Sequence, residues 1–166
     1  ALIFFASSNE YPIDDTYSYL SNFWMADCYF QLSDYEKSID VYRSLPLSPD
    51  DHLIEYEELK TYNLAYSYFQ IQDYATAVQF FRSYEKVASD SMKINDTYLR
   101  IADCYFMDSE FLLSSKYYDK AVRLNLFHTD YALYQNAISL GLIGSNSEKE
   151  KLLKRIVLDF TASSYN

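Results

Sequence analysis

Residues that break helices or make turns are scarce in this chain of 166: there are two glycines and three prolines. An all-β sandwich or barrel needs a turn about every 8–12 residues, so the shortage argues against that class. Cysteine is equally sparse. Cys28 and Cys104 are too few for a disulfide framework and lack metal-ligand spacing, which leaves two reduced, buried thiols acting as small hydrophobes. Positive charge is short as well. Fourteen Lys and Arg against 24 Asp and Glu give a net charge of −10, which argues against nucleic acid or an anionic membrane surface as partner. No apolar run approaches the ~18 residues of a membrane-spanning helix, so direct membrane insertion is not expected.

What the chain has in excess is aromatic side chains, 19 Tyr and 11 Phe, in a composition 49% apolar and 23% charged. That balance belongs to a globular domain, and long helices joined by short connections are what remain. The aromatics recur in a fixed pattern. The pentapeptide Ala-Asp-Cys-Tyr-Phe occurs at Ala26–Phe30 and again at Ala102–Phe106, with Ala65-Tyr66-Ser67-Tyr68-Phe69 between them. Nine residues after each alanine stands another aromatic (Tyr35, Tyr74, Phe111), and seven further on a third (Tyr42, Phe81, Tyr118). A weaker fourth copy surrounds Ala137, with Leu140, Gly144, Leu153 and Ile156.

Each copy reads as two helices. Met25, Ala26 and Tyr29 share one helical face, as do Leu64, Ala65 and Tyr68, and then Ile101, Ala102 and Tyr105. A break follows at Ser33-Asp34, Gln72-Asp73, Ser109-Glu110 and Gly144-Ser145, where Ser and Asp suit a helix N-terminus. The second helices carry small residues (Ser38, Ala77, Ser114) that let the pair approach closely while aromatics fill the space. In the central copy, Tyr68 is expected to pack on Ala77 and Phe81. Pro46 and Pro49 stop a preceding helix, and the extra residues in Pro46–Leu59 and Val87–Asp96 predict lengthened helices.

These residues resemble the tetratricopeptide repeat, an antiparallel helix pair of about 34 residues. The family's small residue in the first helix matches Ala26, Ala65, Ala102 and Ala137. Its following tyrosine matches Tyr29, Tyr68 and Tyr105, and the tyrosine opening the second helix matches Tyr35, Tyr74 and Phe111. Asn146 and Lys149 depart from the pattern in the fourth copy. The resemblance implies an all-α fold: an α-solenoid of antiparallel helix pairs stacked into a right-handed superhelix, one domain over 1–166. Its repeats fall at 16–49, 55–88, 92–125 and 128–160, with partial repeat ends at 1–12 and 161–166. It further suggests a window from a longer, bacterial-type array of the cell envelope or periplasm.

Candidate chemistry is thin. His52 and His128 lie in separate connections and read as surface or helix-start residues. No glycine-rich phosphate loop, His-x-x-x-His or nucleophile elbow occurs, so no catalytic, cofactor or metal residues are expected. Glu55-Tyr56-Glu57-Glu58 reads as a solvated face. Asn95-Asp96-Thr97 fits a glycosylation acceptor but reads better as a helix start, and Gly141 to Gly144 as a turn. The face of the first helices opposite the packing ladder remains. In the family this face lines a groove for partner peptides, which implies a site at Phe23, Asp27, Phe30, Tyr62, Tyr66, Phe69, Leu99, Asp103, Phe106 and Tyr134. Some relatives grip a C-terminal carboxylate there with Asn and Lys. The matching positions here, Asp27 and Gln31, Tyr66 and Gln70, Asp103 and Met107, offer no cation. The expected function is therefore a non-enzymatic scaffold presenting an apolar, mildly acidic groove to a protein or peptide. The alternative is a structural spacer with its partner site elsewhere.

Overall fold

The computed structural model describes residues 1–5, 15–46 and 53–165, and every described element in it is helical. After a helical turn at residues 2–5, the chain forms α1 (Asp15–Gln31), α2 (Tyr35–Ser44), α3 (Ile54–Gln70) and α4 (Tyr74–Glu85). It continues with α5 (Ser91–Met107), α6 (Phe111–Leu124), α7 (Thr129–Leu142) and α8 (Asn146–Asp159). The chain divides into two compact units, Ala1–Val87 and Ala88–Asn166, each made of two helix pairs. Helices adjacent in the chain pack on one another within each unit, and in the first unit α1 also lies against α3.

One device makes all four pairs antiparallel. Three residues join α1 to α2, α3 to α4, α5 to α6 and α7 to α8. In each turn the middle residue has a left-handed backbone: Ser33 (φ 61°), Gln72 (65°), Ser109 (61°) and Gly144 (82°). Two hydrogen bonds close it. The Asp34 N–H donates to the Tyr29 carbonyl (2.9 Å) and the Ser33 N–H to the Phe30 carbonyl (2.9 Å), and the other three turns repeat this pair. This is the Schellman arrangement, which satisfies carbonyls a helix end leaves open. The next helix then starts at Tyr35, Tyr74, Phe111 or Asn146. Asp34 and Asp73 cap through their carboxylates, accepting from the Lys37 and Thr76 N–H groups, whereas Glu110 and Ser145 make no side-chain cap bond.

The small residues of the ladder sit at the crossing points. Ala26, Ala65, Ala77, Ala102, Ser38 and Ser114 have no exposed surface. Lys149, which stands where the other copies have a small residue, is accommodated by a glycine opposite: a Cβ on Gly141 would lie 3.0 Å from Lys149 Cδ. The lengthened helices are α1, α3 and α5, at 17 residues against 14 for α7. Pro46 follows the end of α2, as its lack of a backbone donor requires; Pro49 and His52 lie outside the described residues.

One packing expectation is corrected. Tyr68 is buried, but its ring stacks on Phe80 (5.5 Å, 9° between planes) rather than on Phe81, and its hydroxyl accepts from Arg43 Nη1 at 3.0 Å. Phe81 instead receives the edges of Tyr62 and Tyr66. A single residue step turns a helical side chain by about 100°, so Phe80 and Phe81 serve different neighbours.

Candidate functional site

The expected groove residues separate into those that reach the surface and those that hold the repeats together. In the first unit, Phe30 from α1 and Tyr62, Tyr66 and Phe69 from α3 are half-buried and touch in sequence. Ring centroids lie 6.4 Å apart for Phe30–Tyr66, 5.2 Å for Tyr62–Tyr66 and 6.3 Å for Tyr66–Phe69. Tyr35 and Tyr74, which open the second helices, extend the row by edge contacts to Phe30 and Phe69. The edge-on geometry suits the quadrupoles of the rings and fixes the row as one surface. Asp27 lies beside it, half-buried, its Oδ1 accepting from Asn63 Nδ2 at 3.2 Å.

Phe23 does not belong to that surface. It is 0% exposed and makes edge contacts with Trp24, Tyr42 and Tyr56 at the joint between the two repeats. It precedes Ala26 by three residues, nearly one helical turn, which puts it on the packing stripe. Leu99 precedes Ala102 by the same interval and is also 0% exposed, in a core with Tyr118, Leu133 and Ile156.

Asp103 is buried too, and its carboxylate is fully engaged. Oδ1 accepts from the Tyr118 hydroxyl (2.6 Å) and the Tyr131 hydroxyl (2.7 Å), while Oδ2 pairs with Arg100 Nη1 (2.6 Å). Burial pushes this carboxyl above its usual range, against the pull of Arg100 and the two phenols, and pushes Tyr131 up to about 12. Asp103 therefore organises a joint and offers no free charge to a ligand. Phe106 is half-buried against Phe111. Tyr134 is half-buried under Tyr165, the two rings stacked at 4.9 Å and 25°. The pattern of first-helix faces did not single out Asn63, Trp24, Tyr56 or Tyr165. For Trp24 and Tyr56 the available signal was aromatic character one turn from packing positions.

Other candidates resolve plainly. Asn95 lies within α5 with no exposed surface and donates to the Phe127 carbonyl at 3.2 Å, so it is inaccessible to a glycosylating enzyme. His128 is the N-cap of α7 in a left-handed conformation. Cys28 and Cys104 are free, and burial pushes the Cys104 thiol up to about 12, which makes it a poor nucleophile. Among the described residues, no group of three His, Cys, Asp or Glu could hold a metal, and no helix is long and apolar enough to cross a membrane.

The family model for the tetratricopeptide repeat matches residues 21–48 and 62–91, the spans that contain the turns and caps described for α1 to α4. The chain carries tetratricopeptide repeats over those spans. Two solved structures of similar architecture come from Podosopora anserina and are described as kinesin light chain with nearly identical TPR-like repeats, one of them a variant. Each is 13% identical, covers 87% of this chain and 75% of its own, and superposes with a TM-score of 0.61 or 0.59. At that identity the likeness concerns the fold. No curated protein matches the sequence. Tetratricopeptide repeats are generally protein–protein interaction modules, which puts the open first-helix faces at the centre of any functional reading.

Proposed function

We propose that this tetratricopeptide-repeat chain is a non-enzymatic interaction module that binds a polypeptide on the aromatic face of its first unit. The observation that carries the reading is the continuous row Phe30, Tyr66 and Phe69, flanked by Tyr62, half-exposed and pre-formed by ring contacts. Rigid aromatic anchors lose little conformational entropy on binding and dominate the energy of such surfaces. Asp27 beside the row and the net charge of −10 favour a basic or neutral ligand over an acidic one. Phe106 and Tyr134 are secondary candidates in the second unit; Phe23, Leu99 and Asp103 contribute by holding the repeats.

The spacer reading draws its support from the second unit, where the chain's own residue Tyr165 lies on Tyr134. One experiment separates the two. Peptides selected by display against the intact chain are titrated against wild type and a Tyr66→Ala, Phe69→Ala double variant, with circular dichroism confirming the helical fold. The module reading expects apolar or basic peptides and at least tenfold weaker binding to the variant. Affinities within twofold on an intact fold would make the row structural and return the spacer reading.

A further inference from the structure

Beyond α8 the chain turns back on its own unit. The Ser163 N–H donates to the Phe160 carbonyl, and the Ser163 hydroxyl donates to Asp130 Oδ2 at 2.6 Å on the first turn of α7. Two residues on, the Tyr165 ring lies against two tyrosines of α7: 4.9 Å from Tyr134, nearly parallel, and 6.0 Å from Tyr131. Tyr131 and Tyr134 are three residues apart on one helical stripe, so together they form a two-ring seat. A groove lined by Arg100, His128, Asp130 and Tyr131 runs beside it.

The occupant is held by little. No described residue after Asp159 is helical; Phe160 packs on the core of the unit, and beyond it Ser163–Tyr165 meets α7 through one hydroxyl–carboxylate bond and one ring. Tyr165 itself remains 36% exposed. Segments with few buried contacts open at low free-energy cost, so this seat exchanges its occupant readily. Every recognition element it uses, a carboxylate for a hydroxyl and two rings for a third, serves an external chain equally well.

We propose that the α7 face formed by Asp130, Tyr131 and Tyr134 is a second peptide-docking site, separate from the first-unit row. It takes an extended segment with a hydroxyl residue two places before an aromatic, and Ser163–Tyr165 occupies it in cis as a competitor. An occupant tethered by a few residues competes at an effective concentration in the millimolar range, so the wild-type chain masks the site from all but strong ligands.

The probe is a fluorescent, amidated peptide Phe-Thr-Ala-Ser-Ser-Tyr, the sequence of residues 160–165, titrated by anisotropy against the full chain. A Tyr165→Ala chain, altered only outside the helices, should bind it saturably and at least about tenfold more tightly than wild type. Peptide carrying Ala in place of its tyrosine should not bind. Adding Tyr134→Ala to the vacated chain should abolish binding. Because Tyr134 is half-buried, Asp130→Asn on the first turn of α7 is the companion variant and should weaken binding severalfold. No saturable binding by the Tyr165→Ala chain would overturn the proposal, as would equal binding by wild type or indifference to Asp130→Asn. None of these results depends on Tyr66 or Phe69, so this site and the first-unit row stand or fall separately.

Discussion

The first and third repeats share the pentapeptide Ala-Asp-Cys-Tyr-Phe, yet each joins the repeat after it by different chemistry. In the first unit, Asn63 Nδ2 bridges Asp27 Oδ1 and the Tyr42 hydroxyl at 3.2 and 2.9 Å. In the second, the equivalent Asp103 takes the hydroxyls of Tyr118 and Tyr131 directly, with Arg100 on its other oxygen. Ile39 and Leu64 meet the core as apolar residues in the first unit; the matching positions of the second hold Ser115 and Asn136, hydrogen-bonded at 2.7 Å. Trp24 edges Phe23 and Tyr56 where Arg100 makes its ion pair. The repeat pattern thus specifies how one helix folds onto its partner. The joint between repeats is open to either aromatic or polar solutions, provided each buried polar group finds a partner.

The largest difference between the joints should appear at the shared aspartate. Asp103→Ala leaves two phenols and a guanidinium without their common acceptor, and partial exposure of Arg100 discounts the penalty to about 2–3 kcal/mol. Asp27→Ala leaves Asn63 still bonded to Tyr42 and should cost about 1 kcal/mol. Urea denaturation of the two variants measures both, and equal losses would erase the contrast between the units. pH sharpens it. A carboxyl raised on folding stabilises fully below its unfolded pKa, and that contribution is lost as pH rises through the folded value. Wild type should therefore lose stability from about pH 4 upward by an increment that Asp103→Asn lacks.

How far these arrangements were legible in the sequence follows from their range. Helix starts at Tyr35, Tyr74 and Phe111, the three-residue turns and the buried alanines depend on spacing and capping within a dozen residues, and the sequence displays them directly. The fate of Phe23, Leu99 and Asp103 was not legible as exposure. A first helix is covered on one side by its partner and on another by the next repeat, so its open strip is narrower than half its circumference. Residues one turn from Ala26 or Ala102 fall under that cover. The partners Asn63 and Tyr131 come from the following repeat and carry no local signature. Tyr165 belongs to a segment whose place is set by α7 rather than by its own pattern.

A second, smaller effect tests whether the polar joint can be converted into the apolar one. Ser115→Ala alone strands the buried Asn136 carbonyl and should cost about 1–3 kcal/mol. Replacing both partners, as Ser115→Ile with Asn136→Leu, reproduces the residues of the first unit. The added volume can enter a cleft of about 330 Å³ that borders Ser115, Asn136, Leu140 and Leu152. Substituting both members of a buried polar pair is close to neutral when the shape is kept, so the double variant should lie within about 1 kcal/mol of wild type. A double variant as unstable as the single one would mean that the second unit is committed to its hydrogen bond by its backbone spacing.

The smallest contrast concerns one hydroxyl per unit. Ser67 and Ser139 occupy matching positions of the second and fourth repeats, and both are fully buried. Ser139 Oγ bonds the Gln135 carbonyl at 2.9 Å and pairs with Ser114 Oγ at 3.2 Å across the helices. In the first unit Ser38, the counterpart of Ser114, turns to the Ala26 carbonyl of its own repeat, and Ser67 Oγ has no hydrogen-bond partner among the described residues. Ser139→Ala should therefore cost about 1 kcal/mol, because it also deprives Ser114 of a partner. Ser67→Ala removes a polar atom that is already unsatisfied, and relief of its desolvation offsets the small void, so stability should hold or rise by up to about 1 kcal/mol. Thermal unfolding followed at 222 nm distinguishes the signs. A loss at Ser67 equal to that at Ser139 would show that the two joints use this hydroxyl alike.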